Sequence, residues 1–383
     1  MRGFGTTIFA EMTALAVEHG AINLGQGFPD TDGPPAMLAR AAQALGEGLN
    51  QYPPGPGVPA LREAVAADRL RRYGQAYDPV TEVAVTVGAT EAVSAAVLAL
   101  CEAGDEVLVL EPYYDSYAAA IALASAVRVP VPLRPERPGG RFGLDVDALR
   151  AAVTGRTKVL LLNSPHNPTG TVLTHAELQA VADLALEHDL VVVTDEVYEH
   201  LVYDGVEHRP LAGYDGMRER TLAVSSAGKT FSVTGWKTGW ACGPAHLVRA
   251  LLTVKQFLTF TNNAPAQVAV AYALEHELAW VGQLRDSLQA RRDQLAAGLR
   301  DIGLTVSVPQ GTYFLQADVR GLGATDATAF ARELPVSHGV VAIPTAAFTD
   351  AGPDGAWSPY LRFAFCKQAD VLDEAVRRLH AKG

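Results

Sequence analysis

The sequence predicts an α/β protein built on a mostly parallel sheet, and two observations carry that prediction. Short apolar runs alternate with segments of helical spacing between residues 83 and 243, which is typical of parallel strands covered by helices on both faces. Polar or aromatic residues also follow successive runs, namely Thr90, Tyr114, Asn167, Asp195 and Lys229. Ligands bind beyond the carboxyl ends of parallel strands, so these side chains predict a site at one edge of the sheet.

Length, charge and cysteine content exclude several function classes. The chain has 383 residues, enough for two domains, and its net charge of −11 argues against a nucleic-acid surface. It has no apolar run of membrane-spanning length, and we expect no signal peptide. Cys101, Cys242 and Cys366 lack zinc-site spacing and an even count. We therefore expect reduced thiols in a cytoplasmic protein and no metal site.

The elements before the sheet are read from apolar spacing and from proline and glycine. Residues 6–19 have helical spacing, and the glycine-rich residues 22–30 predict a loop. A helix is predicted from about residue 35 to 45, where a proline stands in the first turn. Residues 50–57 hold too many prolines for a helix or a central strand, so they predict a stiff loop before a helix over 58–73.

The central region predicts a sheet of seven strands. The apolar runs that define them cover residues 83–87, 106–110, 127–133, 159–162, 190–194, 221–224 and 240–243. The run at 127–133 contains prolines, which places it at an edge of the sheet.

The C-terminal part has the different rhythm of an α+β region. Residues 246–300 are predicted to be helical, with a long helix from about 277 to 299. The remaining predicted elements are strands at 304–308, 313–317, 340–343 and 360–365 and helices at 326–334 and 370–380. We expect a large domain over 36–285 and a smaller α+β domain over 286–383, joined by the N-terminal segment 1–35.

The residues after the strands fit the requirements of pyridoxal 5′-phosphate (PLP). Lys229 lies among small residues and can form a Schiff base with an aldehyde, and Asp195 can face a ring nitrogen. A helix N-terminus with threonine, serine and lysine nearby can hold a phosphate. Taken singly, Lys229 could equally be a solvent-exposed lysine, Asp195 a helix cap, and Tyr114 a core residue.

Several motifs together resemble the class I/II aminotransferases of fold type I. They are NSPHNPTG at 163–170, TDEVY at 194–198, SSAGK at 225–229 and GWKTGW at 235–240, with NLGQGFPD at 23–30 and YLRF at 360–363. The match runs from about residue 6 to 380. Within the class, the chain is similar to the kynurenine/methionine/glutamine aminotransferase branch and to actinobacterial N-succinyldiaminopimelate aminotransferases, through NQYPPGPG at 50–57 and SPHN at 164–167.

The resemblance implies three catalytic residues: Lys229, Asp195 and Tyr198. Lys229 would bind PLP and then move a proton between substrate and cofactor, Asp195 would pair with the pyridine nitrogen, and Tyr198 with Asn167 would bond the ring oxygen. The other cofactor-binding residues that it implies are Gly88, Ala89, Thr90, Tyr114, Asn163, Ser226 and Lys237. It also implies a homodimer in which Tyr52 reaches the phosphate of the partner subunit.

For the substrate, the resemblance implies that Arg362 clamps the α-carboxylate, assisted by Asn167 and Gly27. Taken alone, Arg362 could be a surface arginine on a strand. The side-chain pocket would include Phe9, Phe260 and Thr261. His166 and Thr261 stand where the kynurenine branch often has asparagine and histidine, which disfavours an aromatic substrate.

The predicted reaction transfers an amino group between an L-amino acid and a 2-oxo acid, with 2-oxoglutarate and glutamate as one pair. N-Succinyl-L,L-diaminopimelate, an intermediate of lysine biosynthesis, is the expected donor. Three alternatives stay open. They are a broad methionine, glutamine or kynurenine transaminase, another PLP reaction such as β-elimination, γ-replacement or oxidative deamination, and a binding module without catalysis. The acidic charge and the lack of a basic extension disfavour the last.

Overall fold

The computed structural model describes residues 5–380, and residues 1–4 and 381–383 lie outside it. The expectation that the chain has no signal peptide concerns a stretch that begins with residues 1–4. The strands are β1 (Ile22–Asn23), β2 (Val83–Val87), β3 (Glu106–Glu111), β4 (Val127–Pro135), β5 (Phe142–Leu144), β6 (Thr157–Asn163), β7 (Val191–Asp195), β8 (Thr221–Ser226), β9 (Thr238–Cys242), β10 (Thr305–Ser307), β11 (Phe314–Asp318), β12 (Val340–Val341), β13 (Ile343–Pro344) and β14 (Tyr360–Ala364).

Most of the α-helices lie close to the predicted positions, but the two short helices at 146–152 and 227–230 were not predicted. The α-helices are α1 (Ile8–His19), α2 (Pro35–Gly46), α3 (Pro59–Tyr73), α4 (Gly88–Leu100), α5 (Asp115–Leu123), α6 (Val146–Ala152), α7 (His175–Glu187), α8 (Ala227–Thr230), α9 (Ala245–Leu258), α10 (Ala264–His276), α11 (Leu278–Asp301), α12 (Ala327–Ser337) and α13 (Ala369–His380). Local chemistry fixes several of their ends. In α7, for example, Thr174 and Glu177 form a capping box.

The predicted sheet of seven strands is confirmed, in the order β2-β9-β8-β7-β6-β3-β4. Strand β9 runs antiparallel to both of its neighbours, and the other six strands run in one direction. The reversal at β9 has a simple cause. Only residues 227–237 connect it to β8, and a parallel crossover needs a dozen residues or more.

The edge of this sheet differs from the prediction. Strand β4 pairs with β3 on one side, and on the other side the short strand β5 pairs with it antiparallel, as an eighth strand. No pattern in the sequence indicates β5, because this strand has three residues and follows Gly139 and Gly140. Strand β5 pairs only with residues 133–135, so Pro130 and Pro132 lie in the part of β4 that pairs with β3 alone, where a proline costs no ladder hydrogen bond on the open side.

The C-terminal region forms an antiparallel sheet in the order β10-β11-β14-β13. The single strand predicted at 340–343 is divided between β13 in this sheet and β12, which pairs in parallel with β1. Ile22 thereby lies opposite Val340, so the N-terminal segment is bound to the C-terminal region. Cys101, Cys242 and Cys366 are all buried and unpaired.

Separate apolar clusters fill the two faces of the large sheet, as expected for strands covered by helices. The carboxyl ends of β2, β3, β6, β7 and β8 therefore remain free to build a site next to the C-terminal sheet. None of the helices in residues 5–380 combines the length and the apolar character that a membrane crossing requires.

Candidate active site

The strand ends converge on a cavity of about 310 Å³ between the large sheet and the C-terminal sheet. Most of the predicted site residues line it together. Those brought together are Phe9, Gly27, Gly88, Ala89, Thr90, Tyr114, Asn163, Asn167, Asp195, Tyr198, Ser226, Lys229, Lys237 and Arg362. The residues that line the cavity come from distant parts of the chain, from Phe9 to Arg362, and only the fold brings them together.

Lys229 lies in the short helix α8, directly after strand β8. Its Nζ donates a hydrogen bond of 2.9 Å to the hydroxyl oxygen of Tyr313. Burial lowers the pKa of Lys229 to about 8, although the nearby Cys366 and Asp195 oppose this shift. About a tenth of this amine is therefore unprotonated at pH 7 and about half at pH 8, far more than for an ordinary lysine, and the unprotonated form is the one that a nucleophile or a base requires.

Asp195 is the last residue of β7 and is buried. Its Oδ2 accepts a hydrogen bond of 2.6 Å from Tyr117, and its Oδ1 accepts one of 3.2 Å from the backbone N–H of Val197. Burial raises the pKa of Asp195, and these two hydrogen bonds oppose the rise because they favour the carboxylate. The carboxylate is thus held in one orientation beside the cavity.

An anion cradle lies at the N-terminus of α4. Gly88 has a φ of +71°, and a Cβ there would lie only 3.1 Å from the Nζ of Lys237. That Nζ donates to the hydroxyl of Thr90 at 3.4 Å, and Val87, the N-cap residue, has no side-chain acceptor for the first N–H groups of the helix. Free backbone N–H groups, the positive end of a helix dipole and a lysine together favour a phosphate group.

Arg362, on β14, is a buried cation without a carboxylate partner among residues 5–380. It donates to the side-chain oxygen of Asn167 at 3.1 Å and to the carbonyl of Gly25 at 2.7 Å. The ring of Phe314 lies 4.0 Å from its guanidinium carbon, and its Nε has no hydrogen-bond partner. Burial lowers the pKa of Arg362 to about 10, which still leaves it charged near neutral pH. A carboxylate from a ligand would supply the missing negative charge.

Three predicted residues are not brought to the cavity of the same chain: Tyr52, Phe260 and Thr261. Tyr52 is 83% exposed and Phe260 is 51% exposed. Their rings contact each other edge to face, with centroids 5.5 Å apart. Tyr52 and Phe260 thus form an exposed aromatic pair on the surface of the chain.

His166 also does not line the cavity. It is fully buried, its Nδ1 lies 2.8 Å from the hydroxyl oxygen of Thr169, and burial lowers its pKa to about 3. The neutral ring therefore supports the loop that carries Asn167. Its difference from the kynurenine branch acts on that loop and not on a ligand directly.

Sequence reasoning missed several residues of the site. Tyr117 follows Tyr114 by one helical turn, a spacing that could have revealed it, and the two rings lie 5.8 Å apart. No pattern in the sequence indicated that Tyr313 contacts Lys229 or that Phe314 lines the cavity, because aromatic residues at a strand are usually core residues. The other lining residues that were not predicted are Gln26, Phe28, Val93, Ser116, Val197, Gly228, Thr234 and Thr238.

Comparison with known proteins relates this cavity to one family. Residues 19–379 match the family described as aminotransferase class I and II. A probable N-succinyldiaminopimelate aminotransferase of Mycobacterium tuberculosis is 58% identical over 99% of this chain and 96% of its own length. The solved structure of N-succinyldiaminopimelate aminotransferase from that organism has a TM-score of 0.97 at 58% identity, covering 100% of this chain and 98% of its own. The methionine aminotransferase of Escherichia coli is 41% identical over 98% of this chain and 95% of its length.

Proposed function

We propose that this chain, which belongs to the class I and II aminotransferases of fold type I, uses PLP to transfer an amino group to and from an N-succinylated diamino acid. One observation carries this proposal. Lys229, whose amine has a pKa of about 8, shares a cavity with Asp195 and with the unpaired cation of Arg362. A nucleophilic amine, a buried carboxylate and a carboxylate-binding arginine are the groups that amino-acid chemistry on PLP requires.

The residues of the cavity fit the cofactor at both of its ends. The N-terminus of α4 with Ala89 and Thr90, together with Ser226 and Lys237, would hold the phosphate, since Gly88 leaves room for it. At the other end, Lys229 would hold the aldehyde carbon covalently. Bound in this way, PLP supplies an electron sink for the negative charge that develops at the substrate Cα.

The side chains around the ring each have a separate task. Asp195, fixed by Tyr117, would keep a proton on the ring nitrogen, and the ring of Tyr114 would lie against the cofactor face. Tyr198 and Asn167 would bind the ring oxygen. Asn163 accepts a 2.7 Å hydrogen bond from the backbone of Asn167 and so fixes the loop that carries it.

Arg362 and Lys229 would then divide the work on the substrate. Arg362 would bind the α-carboxylate, with Asn167 and the backbone at Gly27 beside it, and this would set the Cα hydrogen next to Lys229. The unprotonated amine of Lys229 would take that proton and deliver it to the cofactor side. Phe9, whose ring centroid lies 5.1 Å from the guanidinium carbon of Arg362, would exclude water there.

The proposed amino donor is N-succinyl-L,L-diaminopimelate, with 2-oxoglutarate as acceptor, in lysine biosynthesis. The support is the 58% identity to the Mycobacterium tuberculosis protein, against 41% to the methionine aminotransferase of Escherichia coli. The latter relationship keeps a broad methionine, glutamine or kynurenine transaminase as the second candidate. Elimination, replacement or oxidative deamination on the same scaffold is the third.

We further propose a cytoplasmic homodimer in which Tyr52 reaches the phosphate site of the partner subunit. The exposed pair of Tyr52 and Phe260 supports this, because large exposed aromatic side chains favour an interface. Phe260 and Thr261 would enter the partner's substrate pocket beside it. The buried, unpaired cysteines agree with a reducing compartment.

For the domains, we propose the division into residues 36–285 and 286–383, with residues 1–35 joined to the smaller domain. The pairing of β1 with β12 supports the placement of the N-terminal segment.

A half-reaction screen tests the function. The PLP-bound protein is mixed singly with N-succinyldiaminopimelate, glutamate, methionine, glutamine or kynurenine, without a 2-oxo acid, and the visible absorbance of the lysine-bound cofactor is followed. We expect rapid loss with the first two donors and little with the others. Comparable rates with the neutral donors would favour the broad transaminase, and keto acid release with the absorbance restored would mean that the reaction is not transamination.

Lys229→Ala provides the loss-of-function test. It should remove the lysine-bound absorbance and lower turnover by at least about three orders of magnitude, because it removes both the nucleophile and the base. Lys158→Ala, at an exposed lysine, is the control and should behave like the wild type. Transamination retained by Lys229→Ala would refute the proposed role.

A further inference from the structure

Tyr313 connects the amine of Lys229 to the N-terminal loop through two hydrogen bonds in series. Lys229 Nζ donates to Tyr313 Oη at 2.9 Å, and Tyr313 Oη donates to the carbonyl of Gly27 at 2.6 Å. The single hydroxyl proton of Tyr313 is therefore directed at Gly27. The oxygen lone pairs that remain face Lys229, so Tyr313 serves the lysine as an acceptor.

This contact is the one hydrogen bond that holds Lys229 Nζ within residues 5–380. The rings of Tyr198 and Tyr313 lie beside the amine, with centroids 5.8 Å and 5.5 Å from Nζ. A lysine has four rotatable side-chain bonds, and two aromatic faces restrict its direction only loosely. Tyr313 itself is 1% exposed and packs edge to face on Tyr198, so its hydroxyl has a fixed position.

The same loop is also bound by Arg362, which donates to the carbonyl of Gly25. Gly27 packs closely against Phe314, because a Cβ at this position would lie 2.4 Å from the ring. Arg362 and Tyr313 thus donate hydrogen bonds to the same loop at two carbonyl groups, those of Gly25 and Gly27, which are two residues apart. The loop sets the spacing between the group that binds a carboxylate and the group that directs the amine.

We propose that Tyr313 is a positioning residue for Lys229, which holds the free amine at the place where it exchanges a proton with the substrate Cα. The inference rests on the proposed function, since it assigns a device to that reaction. Proton transfer is sensitive to displacements of the base by about 1 Å, which cost about a hundredfold in rate. An acceptor oxygen favours the ammonium form of a lysine, so loss of the Tyr313 hydroxyl should lower the pKa of Lys229.

Tyr313→Phe tests the proposal, because it keeps the ring and removes only the hydroxyl. In the apoprotein, the rate at which trinitrobenzenesulfonate labels Lys229 is measured against pH by peptide mass spectrometry. We expect a midpoint near pH 8 in the wild type. In the variant we expect it to fall by up to about one pH unit, since a hydrogen bond to the charged form is lost.

Kinetics of the PLP-bound protein supply a second readout. With L-glutamate as donor, Tyr313→Phe should lower kcat by about 10- to 100-fold, because a poorly directed base transfers the proton more slowly. KM should stay within about twofold, because Arg362 is unchanged. The isotope effect with Cα-deuterated L-glutamate should increase, since proton transfer then limits the rate more strongly.

Tyr203→Phe is a matched control. Tyr203 is also buried, and its hydroxyl donates to the carbonyl of Thr312, next to Tyr313 in the chain. This variant should lose similar thermal stability but keep the wild-type labelling midpoint and isotope effect.

The proposal is overturned if Tyr313→Phe keeps the wild-type midpoint and isotope effect, or if the two variants behave alike. Its failure is separable from that of the proposed function. A wild-type protein that does not transaminate would refute the function, whereas labelling of the apoprotein would still decide the contact of Tyr313 with Lys229.

Discussion

The turn of residues 195–200 faces two charged regions that are built in different ways. On one side, Asp195 and Tyr198 line the cavity. On the other, Glu196 and Glu199 lie in a buried cluster, which we call the rear cluster, with Arg69. A single Nη1 of Arg69 lies 2.7 Å from Glu196 and 3.3 Å from Glu199. This short segment therefore supplies residues both to the site and to the cluster behind it.

The two regions differ in how their charges are balanced. In the rear cluster, burial alone would raise the pKa of Glu196, but Arg69 and His208 outweigh it and lower that pKa. In the cavity, burial lowers the pKa values of Lys229 to about 8 and of Arg362 to about 10. The rear cluster pairs its carboxylates with arginine, whereas the cavity is lined by the cations of Lys229, Lys237 and Arg362 and by one carboxylate, that of Asp195, with no ion pair among these four within residues 5–380. This difference separates charges that stabilise the fold from charges that await a ligand.

The rear cluster also contains metal-ligand types, since ligand atoms of Glu196, Glu199 and His208 lie within 4.8 Å of one another. Arg69 already contacts both carboxylates, and Tyr73 donates to Glu199 at 2.8 Å. The guanidinium group of Arg69 thus occupies the position that a metal ion would need, and the cluster is better explained as an internal ion-pair network.

The sharpest test of the comparison replaces neighbouring carboxylates, one on each side of the turn. Asp195→Asn should lower kcat/KM by about two to three orders of magnitude, because it removes a buried charge beside the cofactor ring. The fold should be retained, since Asp195 makes no ion pair within residues 5–380. Glu196→Gln should show the opposite pattern, with kcat near the wild-type value and a free energy of unfolding lower by about 3 kcal/mol. Steady-state kinetics and urea unfolding measure both, and a stability loss confined to Asp195→Asn would contradict the comparison.

The arginines give a second matched pair. Arg69→Met removes the one cation that contacts both buried carboxylates within residues 5–380, so the free energy of unfolding should fall by about 3–5 kcal/mol. Arg362→Met removes an unpaired buried cation, and the stability should be equal or higher. The KM for L-glutamate should rise about 30-fold or more, because a charge-assisted contact to the α-carboxylate is lost. If Arg362→Met unfolds as readily as Arg69→Met, then Arg362 is a structural residue.

The cavity side of this comparison could be predicted from the sequence, and the rear cluster could not. Asp195 and Lys229 follow apolar runs, and parallel strands bring their carboxyl ends together, so local pattern and topology suffice to place them. Arg69 lies in helix α3, 127 residues before Glu196. No local pattern connects such a pair, because long-range ion pairs are set by packing and not by periodicity.

The same distinction explains the other differences. Strand β5 is too short to show a period, and the direction of β9 depends on the length of its connection to β8. Tyr313 meets Lys229 across 84 positions of the chain. Tyr52, Phe260 and Thr261 lie outside the cavity of their own chain, and no local pattern in the sequence indicates this.

The smallest expected effect concerns Tyr117, which joins the cavity side to its support. Tyr117→Phe removes the 2.6 Å hydrogen bond to Asp195. That bond opposes the rise in the pKa of Asp195 that burial causes, so the variant should raise this pKa further. Because the aspartate must be ionised to pair with the ring nitrogen, the acid limb of kcat/KM should move to higher pH, by up to about one unit. Tyr113→Phe is the control, since Tyr113 donates to the carboxylate of Asp350 outside the cavity. An acid limb unchanged in Tyr117→Phe would mean that the backbone N–H of Val197 and the charge of Lys229 suffice to keep Asp195 ionised.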